Sequence, residues 1–313
     1  MFPLISSRYL LDKNTLVGHV SQILSIIFWT GGLVAMKPVS TFAPPLLVVP
    51  AQMILGTIIL FIFGLIFKWK FNFSSFMAGM GFGVLAPGLA FTLNMIAATK
   101  TDILTITILW GLIPLLSPLF GRLFLSEPIV PSLYLGACIA VLGTYWLVTM
   151  RTSTGVSSPL GNMIAAAGVF CSLSGHILGR GLNRKFLKPL DMALGQIAGA
   201  AIISSLMGFG YFLYVDFKES IFDLMGDLIT FPTFLYLVIF ATVINFPLYN
   251  FALSKIPVAW VSLYTVFVPP IGALFSNYFL NEPISQQDII AIFIILSGVL
   301  IPSIHKISRE KFA

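Results

Sequence analysis

Ten predominantly apolar stretches, each about 20 residues long, follow one another along this chain with only short polar breaks between them. A helix that spans the hydrocarbon core of a bilayer needs about 20 such residues. Only 9% of the residues are charged, whereas soluble domains have about 25%, so the chain lacks the polar surface that water requires. We therefore expect an all-α polytopic membrane protein with ten transmembrane helices. The stretches are residues 18–37, 45–67, 75–97, 102–121, 132–150, 160–180, 190–214, 231–254, 257–279 and 287–304.

One segment of the sequence occurs twice. The run Leu119–Ile129 (LFGRLFLSEPI) returns 155 residues later as Leu274–Ile284 (LFSNYFLNEPI). An internal repeat of this length in an apolar chain is typical of secondary transporters. It predicts two homologous five-helix repeats, residues 1–151 and 159–313, joined by a linker at 152–158. The same offset, without a gap, pairs Leu93 with Leu248, Ala97 with Ala252, Lys100 with Lys255, Pro114 with Pro269 and Gly143 with Gly298.

The distribution of basic residues predicts the orientation of the chain in the membrane. With the amino terminus inside, thirteen of the seventeen Lys and Arg residues fall on the cytoplasmic side and four fall outside. Cytoplasmic loops carry an excess of Lys and Arg, so we expect both termini in the cytoplasm. Because each repeat has an odd number of helices, the second repeat enters the membrane from the opposite side, and the two repeats are inverted. A site between inverted repeats can open to either face.

The repeated block resembles the drug/metabolite transporter superfamily, and specifically its EamA-type permeases. The resemblance rests on Leu93–Gly143, with the turn Leu125–Pro128 inside it, and on the second copy Leu248–Gly298. The run Phe28–Gly32 (FWTGG), followed by Lys37, also resembles the first helix of the family. The family implies ten helices in two inverted repeats and the movement of small metabolites such as amino acids or their relatives.

The sequence lacks the motifs of the main enzyme classes. It contains three histidines, at 19, 176 and 305, and no His/Glu motif at metal-ligand spacing. It also contains no P-loop and no nucleophile elbow, so we expect no enzyme activity, no cofactor, no metal and no ATP-driven step. The net charge of +6 comes from basic residues that are scattered between apolar runs. They form no basic face, which argues against a nucleic-acid partner.

Polar and aromatic side chains within the predicted spans are the candidates for substrate contacts, because polar groups in a bilayer are costly. Asn245 lies near the middle of the eighth predicted helix, with Tyr249 one turn later on the same face. Trp110 lies at mid-depth in the fourth helix, Tyr264 in the inner half of the ninth, and Asn94 towards the outer end of the third. Such groups suit a neutral or zwitterionic, partly apolar ligand. The alternative is a structural role in bonding and packing between helices.

Two prolines and one histidine are further candidates. Pro114 and Pro269 occupy matching positions inside the fourth and ninth predicted helices. A proline bends its helix, and matching interruptions in two halves point to a transport site or to a hinge beside it; of the two, we expect the hinge. His176 is the one histidine within a predicted span, where it could relay protons. It lies one turn from Arg180, so the competing interpretation is a water-accessible residue near the cytoplasmic surface.

The repeated Glu-Pro pairs have a structural interpretation. Glu127 and Glu282 each follow a turn and precede a proline that we place at the first position of the next helix. An acidic side chain there complements the helix dipole. We therefore expect each carboxylate to stabilise the start of the helix that follows it, one at each face of the membrane, rather than to bind a ligand.

The sequence as a whole predicts a permease that moves a small organic metabolite by alternating access, without ATP hydrolysis. The resemblance favours export over uptake, but no residue fixes the direction or the energy coupling. The competing class is a non-transporting membrane scaffold or accessory subunit that keeps the fold. The expected partners are the lipid bilayer, a small-molecule substrate and, if transport is coupled to them, protons; the chain would act as a monomer or homodimer. The lack of a cleavable signal and of extra domains favours a bacterial inner membrane, while Arg309 and Lys311 leave a eukaryotic endomembrane open.

Overall fold

The described part of the chain is built from helices. A computed structural model describes residues 13–125, 131–153, 157–180, 187–212, 230–256, 261 and 263–311, and these residues form no strand. The expected Glu127 turn and residues 154–156 of the expected linker lie outside the described residues. The α-helices within these ranges are α1 (Lys13–Phe42), α2 (Pro45–Ile66), α3 (Phe73–Gly83), α4 (Ala90–Ala98), α5 (Ile103–Gly111), α6 (Ile113–Leu125), α7 (Pro131–Ser153), α8 (Pro159–Arg180), α9 (Pro189–Phe212), α10 (Thr230–Val238), α11 (Asn245–Lys255), α12 (Val268–Leu280) and α13 (Gln286–Lys311).

Several of these helices have the length and composition of membrane spans. Within the described residues, six helical stretches are long and apolar enough to cross a bilayer. Three further apolar helices are shorter: Ile103–Ser117, Cys138–Arg151 and Gln286–Gly298. The fold is therefore that of a polytopic membrane protein, while the total of ten crossings stays a prediction. The six stretches are Asn14–Phe42, Pro45–Ile66, Phe73–Ala98, Pro159–Leu178, Pro189–Tyr211 and Thr230–Lys255.

Helix α2 shows how the apolar sequence is divided between core and lipid. One face, with Val49 and Met53, is fully buried against neighbouring helices. The other face exposes large apolar side chains, among them Ile58, Phe61 and Leu65. Soluble monomers rarely expose contiguous apolar patches of this kind. A lipid environment explains the exposed face without a protein partner.

Glycines allow α3 and α9 to approach each other at backbone contact. A Cβ atom at Gly79 or Gly83 would overlap the carbonyl oxygen of Met192 or Gln196. From the other side, a Cβ at Gly195 would overlap the carbonyl oxygen of Phe76. Small residues four apart on facing helices are the usual device for close packing in membranes. This contact fixes α9 against the helix break that follows α3.

The 155-residue offset of the sequence repeat reappears in the helix boundaries. A π-helical turn at Val84–Leu89 joins α3 to α4, and a second one at Ile239–Ile244 joins α10 to α11. These two turns are separated by the same offset as the repeated segments. The start and the end of α6 and α12 are related in the same way. Equivalent parts of the two halves therefore both contain a π-helical turn, and the first of these turns also contains the non-helical residue Ala86.

Contacts between helix ends define two ends of the bundle. At one end, which we call the ion-pair end, Lys37 Nζ donates to the Thr101 carbonyl oxygen at 2.6 Å, and Thr101 Oγ1 donates to Asn162 Oδ1 at 2.7 Å. These contacts bring together the end of α1, the link from α4 to α5, and the start of α8. At the opposite end, the start of α1 packs on the end of α11, where a Cβ at Gly18 would lie 2.7 Å from Lys255 Cβ.

The start of α13 differs from the expectation. Pro283 was expected at the first helical position, but α13 begins at Gln286. The reason is a reciprocal cap: Asp288 N donates to Ser285 Oγ at 3.1 Å, and Ser285 N donates to Asp288 Oδ2 at 2.8 Å. A Ser with an acidic residue three positions later satisfies two free N–H groups at a helix start. Glu282 therefore lies in the turn before α13 and does not stabilise the start of that helix.

Candidate functional site

A cavity of about 60 Å³ lies between helices of both halves. This volume has room for about four to six water molecules, and it is smaller than the roughly 150 Å³ that holds benzene, so an organic ligand requires the wall to widen. Nine of its lining residues belong to the first half of the chain and seven to the second. The two helix breaks lie beside it, since Ala86 and Pro87 of the first break and Asn245, which directly follows the second, are among the lining residues. The lining residues are Gln22, Ser25, Ile26, Trp29, Ala86, Pro87, Phe91, Trp110, Ile113, Ser172, His176, Gln196, Asn245, Phe246, Tyr249 and Thr265.

The cavity lies towards the end of the bundle opposite the ion pairs. Gln22 lines it, whereas Lys37, fifteen residues further along α1, contacts Thr101 at the ion-pair end. At about 1.5 Å per residue, these two positions are separated by about 22 Å along the helix axis, and Trp29, the lining residue of α1 nearest to Lys37, is separated from it by about 12 Å. Leu33, Met36 and other α1 residues between them are fully buried. The cavity is therefore separated from the ion-pair end by a packed apolar layer.

Gln196 of α9 supports the break between α3 and α4. Within the π-helical turn, Ala86 has non-helical backbone angles, with φ −136° and ψ 105°. Its carbonyl oxygen accepts a hydrogen bond from Gln196 Nε2 at 2.9 Å, and Gln196 Oε1 accepts one from Asn250 Nδ2 at 2.9 Å. Irregular backbone at membrane depth requires such partners within the protein. The break in one half is thus held by side chains from the other half.

The second break has an equivalent support. Gln52 of α2 donates from Nε2 to Thr242 Oγ1 at 2.9 Å and to the Leu237 carbonyl oxygen at 3.3 Å. Thr242 Oγ1 also donates to the Leu237 carbonyl oxygen, at 2.8 Å. Gln52 and Gln196 occupy the same position in α2 and α9, counted from the prolines that begin these helices. Each half therefore supplies a buried glutamine to the helix break of the other half.

A polar cluster from α1 and α11 forms another part of the wall. Ser25 Oγ donates to Asn245 Oδ1 at 2.6 Å, and Asn245 Nδ2 donates to the Ala241 carbonyl oxygen at 3.3 Å. One turn before Ser25, the amide nitrogen of Gln22 donates to the Val261 carbonyl oxygen at 3.3 Å. The Gln22 Oε1 atom is buried and has no hydrogen-bond partner. It is the one buried side-chain oxygen without a partner among the described residues that line the cavity.

Two tryptophans form an aromatic corner. The rings of Trp29 and Trp110 meet edge to face, with centroids 4.3 Å apart, which is a favourable arrangement for aromatic pairs. Trp110 Nε1 donates to Asn94 Oδ1 at 3.2 Å. Asn94 Nδ2 in turn donates to the Ala90 carbonyl oxygen at 2.6 Å. Asn94 is fully buried behind the indole, so its contacts orient Trp110 and do not reach the cavity.

Four further rings complete the wall. His176 of α8 stacks on Tyr249 of α11, with centroids 5.8 Å apart and an angle of 26° between the rings. Phe91 and Phe246, whose ring centroids are 6.0 Å apart, are equivalent positions of the two halves under the 155-residue offset. The cavity thus lies where equivalent positions of the two halves meet.

The predicted site residues fall into three groups. Trp110, Asn245 and Tyr249 line the cavity. Asn94 lies behind Trp110, as described above. Tyr264 lies towards the end of the bundle opposite the ion-pair end, where its hydroxyl is 3.0 Å from His19 Nδ1. His176, for which a position near the surface was the competing interpretation, is half-buried in the cavity wall. A role for any of them in binding stays a prediction.

The two prolines begin helix segments. Pro114 and Pro269 were expected to bend the fourth and ninth predicted helices, and each lies in the first turn of a segment, α6 or α12, directly after an interruption of the helix. A proline is tolerated there because the first N–H groups of a helix lack a helical partner. Pro269 also packs against Gly111, the last residue of α5. Both prolines thus follow an interruption of the helix, and a hinge function for them stays a prediction.

The buried glutamines were not among the predicted site residues. Gln22 and Gln196 line the cavity and are both almost fully buried. Each lies within the first third of its helix, where polar residues are usually attributed to the membrane surface. The sequence could have identified both glutamines, since an amide within a predominantly apolar span has to find a hydrogen-bond partner. Counting from matching helix starts would also have paired Gln52 with Gln196.

The ion-pair end is held by one buried arginine. Arg151 at the end of α7 contacts Asp102 Oδ1 at 2.8 Å and Asp288 Oδ1 at 3.0 Å. A further guanidinium nitrogen donates to the Pro283 carbonyl oxygen at 3.0 Å. All three charged side chains are almost fully buried. Arg151 and Asp102 belong to the first half of the chain, and Asp288 and Pro283 belong to the second, so the cluster joins the halves at this end.

Glu282 adds a cap to the same cluster. Its carboxylate accepts hydrogen bonds from Ile103 N at 3.0 Å and from Leu104 N at 3.3 Å, at the start of α5. Burial raises the pKa of this carboxyl above its ordinary value of 4.5, against the lowering effect of the two N–H groups. Glu282 therefore complements a helix dipole, as expected, but the helix belongs to the other half of the chain.

The described lining of the cavity consists of apolar, aromatic, amide and hydroxyl side chains and one histidine. Among the described residues that line the cavity, none is Asp, Glu, Lys or Arg. The described residues contain no group of three or more His, Cys, Asp or Glu side chains that could hold a metal ion. The wall instead combines aromatic rings with amides and hydroxyls, the usual mixture in small-molecule sites.

Comparison with known proteins gives a consistent result. The EamA-like transporter family matches residues 16–149 and again residues 159–304. The uncharacterized transporter YetK of Bacillus subtilis (strain 168) is 26% identical over 213 residues, which are 66% of this chain and 60% of that protein. An uncharacterized transporter of Archaeoglobus fulgidus is 23% identical over 283 residues, covering 89% of this chain and 95% of that protein. A crystal structure of a protein with 15% identity shares the fold, with a TM-score of 0.63 over 94% of this chain and 98% of that one.

Proposed function

The chain belongs to the EamA-like transporter family, and we propose that it moves a small organic metabolite across a membrane by alternating access, without ATP hydrolysis. The observation that carries this proposal is the position of the cavity. It lies between the two halves, beside a helix break, and is walled by both halves. Interrupted helices that meet between repeats are where secondary transporters bind substrate. The motifs point to a transporter rather than to an enzyme.

We propose that the halves are inverted five-helix repeats, 1–151 and 159–313, joined at 152–158. Contacts between helix ends support this arrangement. Helix α4 ends at the ion-pair end, where Thr101 follows it, while its equivalent α11 ends at the opposite end with Lys255 against Gly18. Equivalent helices therefore run in opposite directions. With ten crossings and the predicted excess of basic residues inside, the opposite end is cytoplasmic, as are both termini.

Alternating access requires one end to close while the other opens. The packed layer and the Arg151 cluster close the ion-pair end, and the cavity lies nearer the other end. In the opposite state, this cluster separates and the cavity opens towards it. Because the cluster joins both halves, a movement of one half relative to the other breaks its contacts. The prolines at the starts of α6 and α12 are the proposed hinges of that movement.

Cysteine accessibility tests this proposal. Cys138 and Cys171 are free thiols, so both are first replaced by alanine. Single cysteines then replace Trp110, Asn245 or Tyr249, and a membrane-impermeant maleimide is added to either face of oriented vesicles. We expect labelling at all three positions, a change of face with transport conditions, and protection by the transported metabolite.

Matched positions make the labelling interpretable. Met95, fully buried on α4 and outside the cavity, should stay unlabelled, whereas Lys188 and Gln287, exposed at opposite ends, should each react from one face. Failure of all three cavity positions to react would contradict the cavity assignment. Labelling that never changes face would favour the alternative function, a non-transporting scaffold or accessory subunit that keeps the fold. Metabolite profiling of cells with and without the protein, followed by uptake into vesicles, identifies the compound to use.

A further inference from the structure

Among the described residues, the cavity wall contains no fixed charge that could balance a charged ligand. Its sixteen lining residues are apolar, aromatic, amide or hydroxyl side chains together with His176. The acidic residues Asp102, Glu282 and Asp288 are engaged at the ion-pair end. A carboxylate or ammonium group placed in the cavity would lose its hydration without gaining a counter-charge, which disfavours it strongly. An uncharged ligand does not meet this penalty.

Most polar atoms of the wall are already engaged within the protein. Ser25 and Asn245 bond to each other, and Gln196 uses both ends of its amide, towards Ala86 and Asn250. These groups shape the wall, but they have limited capacity for a ligand. A ligand that competed for them would have to break bonds that support the helix break.

Gln22 is different because one end of its amide is fixed and the other is unused. Its Nε2 donates to the carbonyl oxygen of Val261, so its Oε1 is the acceptor that remains. The side chain is almost fully buried, and Oε1 has no partner. A buried acceptor without a donor is unfavourable. A ligand that supplies an N–H or O–H group would remove that cost.

The remaining wall favours a flat apolar body. Trp29 and Trp110 meet edge to face, and Phe91 and Phe246 lie together across the contact between the halves. Aromatic rings gain from edge and face contacts with another ring. The site therefore combines aromatic walls with one unused acceptor.

We infer that the cavity selects an uncharged molecule with a flat, aromatic or similar apolar body. The molecule has at least one N–H or O–H group, which donates to Oε1 of Gln22. The cavity rejects anionic, cationic and zwitterionic analogues of that molecule. This inference rests on the proposed function and narrows its substrate class. It separates an amide-like or heterocyclic metabolite from a free amino acid of the same size.

A set of four compounds with one aromatic body and four charge states tests the inference. The probes are phenylacetamide (neutral), phenylacetate (anion), phenethylammonium (cation) and phenylalanine (zwitterion). Binding of tritiated phenylacetamide to the purified full chain in lipid nanodiscs is measured, with the other three as competitors. We expect each charged analogue to bind at least about 30-fold more weakly than the amide, since uncompensated burial of a charge is costly. Equal or tighter binding of any charged analogue, or no binding of the amide, would overturn the inference.

The role of Gln22 is tested by removing the donor from the ligand and the acceptor from the protein. N,N-dimethylphenylacetamide has no N–H group, and we expect it to bind the wild-type chain about tenfold more weakly than phenylacetamide. In Gln22→Leu, the two amides should bind alike. Gln287→Leu, the same substitution at an exposed position of α13, should keep the tenfold difference. If Gln22→Leu does not fold, the pair of amides on the wild-type chain still decides, because equal binding there contradicts a donor to Gln22.

Transport separates this inference from the proposed function. Vesicles that contain the protein are loaded with each of the four compounds. If a zwitterion or ion is transported and the amide is not, the substrate class is wrong and the transporter assignment stands. If the amide binds with the expected selectivity but does not cross the membrane, the class of ligand stands and the transport proposal fails.

Discussion

Removal of the Arg151 guanidinium is the sharpest test of how the ion-pair end is held. The perturbation is Arg151→Met, which keeps an unbranched apolar stem and deletes the charge. It breaks the contacts to Asp102 and Asp288 and the hydrogen bond to the Pro283 carbonyl oxygen. Two carboxylates that are 3% and 5% exposed then lose their counter-charge. Breaking a buried ion pair from one side costs about 3–5 kcal/mol.

The magnitude can be checked by neutralising the partners. In the triple variant Arg151→Met, Asp102→Asn, Asp288→Asn, no buried charge remains unbalanced among these three residues. The asparagines retain an oxygen that can cap α5 and α13, where Thr105 N and Ser285 N now donate to the two aspartates. We therefore expect the triple variant to be within about 2 kcal/mol of wild type. The single variant should be clearly less stable than the triple.

Thermal unfolding of the purified chain measures the difference. At about 2 °C per kcal/mol for a chain of this size, the single variant should unfold about 6–10 °C below wild type. Arg122→Met, an exposed arginine at the end of α6, is the matched control and should stay within about 1 °C. If Arg151→Met unfolds with the control, or if the triple variant is no better than the single one, the cluster does not stabilise this end. The triple variant should also admit the maleimide to a cysteine at 110 from the ion-pair side.

Four further changes test other contacts. Gln196→Leu leaves the Ala86 carbonyl oxygen without its donor and should lower the free energy of unfolding by about 1–3 kcal/mol. Gln52→Leu should lower it less, because Thr242 still donates to the Leu237 carbonyl oxygen. Thermal unfolding of the two variants measures the difference. The pKa of Glu282 is raised, so its carboxyl holds a proton more tightly in the folded chain than in the unfolded chain. The stability of the wild type should therefore fall as the pH rises from about 4.5 through the folded pKa. Denaturation of Glu282→Gln, measured over the same pH range, should lack this fall. Gly195→Ala should lose about 1–3 kcal/mol of stability, because its Cβ overlaps the Phe76 carbonyl oxygen. Gly210→Ala should gain up to about 1 kcal/mol of stability, because a Cβ there meets nothing within 4 Å. Thermal unfolding measures both. Pro269→Ala should slow transport more than it weakens ligand binding, and an unchanged turnover would remove the hinge proposal.

The helices could be predicted from the sequence because their signals are local. The apolar stretch 45–67 became α2, Pro45–Ile66, with a proline at its start and charged residues after its end. The breaks inside helices could not be located in this way. Residues remain predominantly apolar across Val84–Leu89 and Ile239–Ile244. What supports those turns are hydrogen bonds from Gln196 and Gln52, which lie more than 100 residues away in the chain.

The site was partly predictable for the same reason. Asn245, Tyr249 and Trp110 were chosen because a polar or large aromatic side chain at mid-depth has few structural explanations, and all three line the cavity. Asn94 satisfied the same criterion, but its amide is used to orient Trp110. To distinguish a residue that lines the cavity from one that orients a neighbour, one must know which face of α4 meets α5. No local sequence pattern contains that information. The start of α13 was misplaced because Pro283 received more weight than the Ser285–Asp288 cap.

The two helix breaks are equivalent in position but not in their hydrogen bonds, and the difference has a consequence for the proposed mechanism. At the second break, Thr242 bonds to Leu237 within its own helix, so part of the support persists whatever α2 does. At the first break, the Ala86 carbonyl oxygen depends on Gln196, which is itself held by Asn250. Both of those residues belong to helices that wall the cavity. A ligand that displaces α9 therefore changes the support of the first break directly. A ligand that displaces α11 acts on both breaks, because Asn250 of α11 holds Gln196 and Asn245 of α11 donates to the Ala241 carbonyl oxygen within the second break.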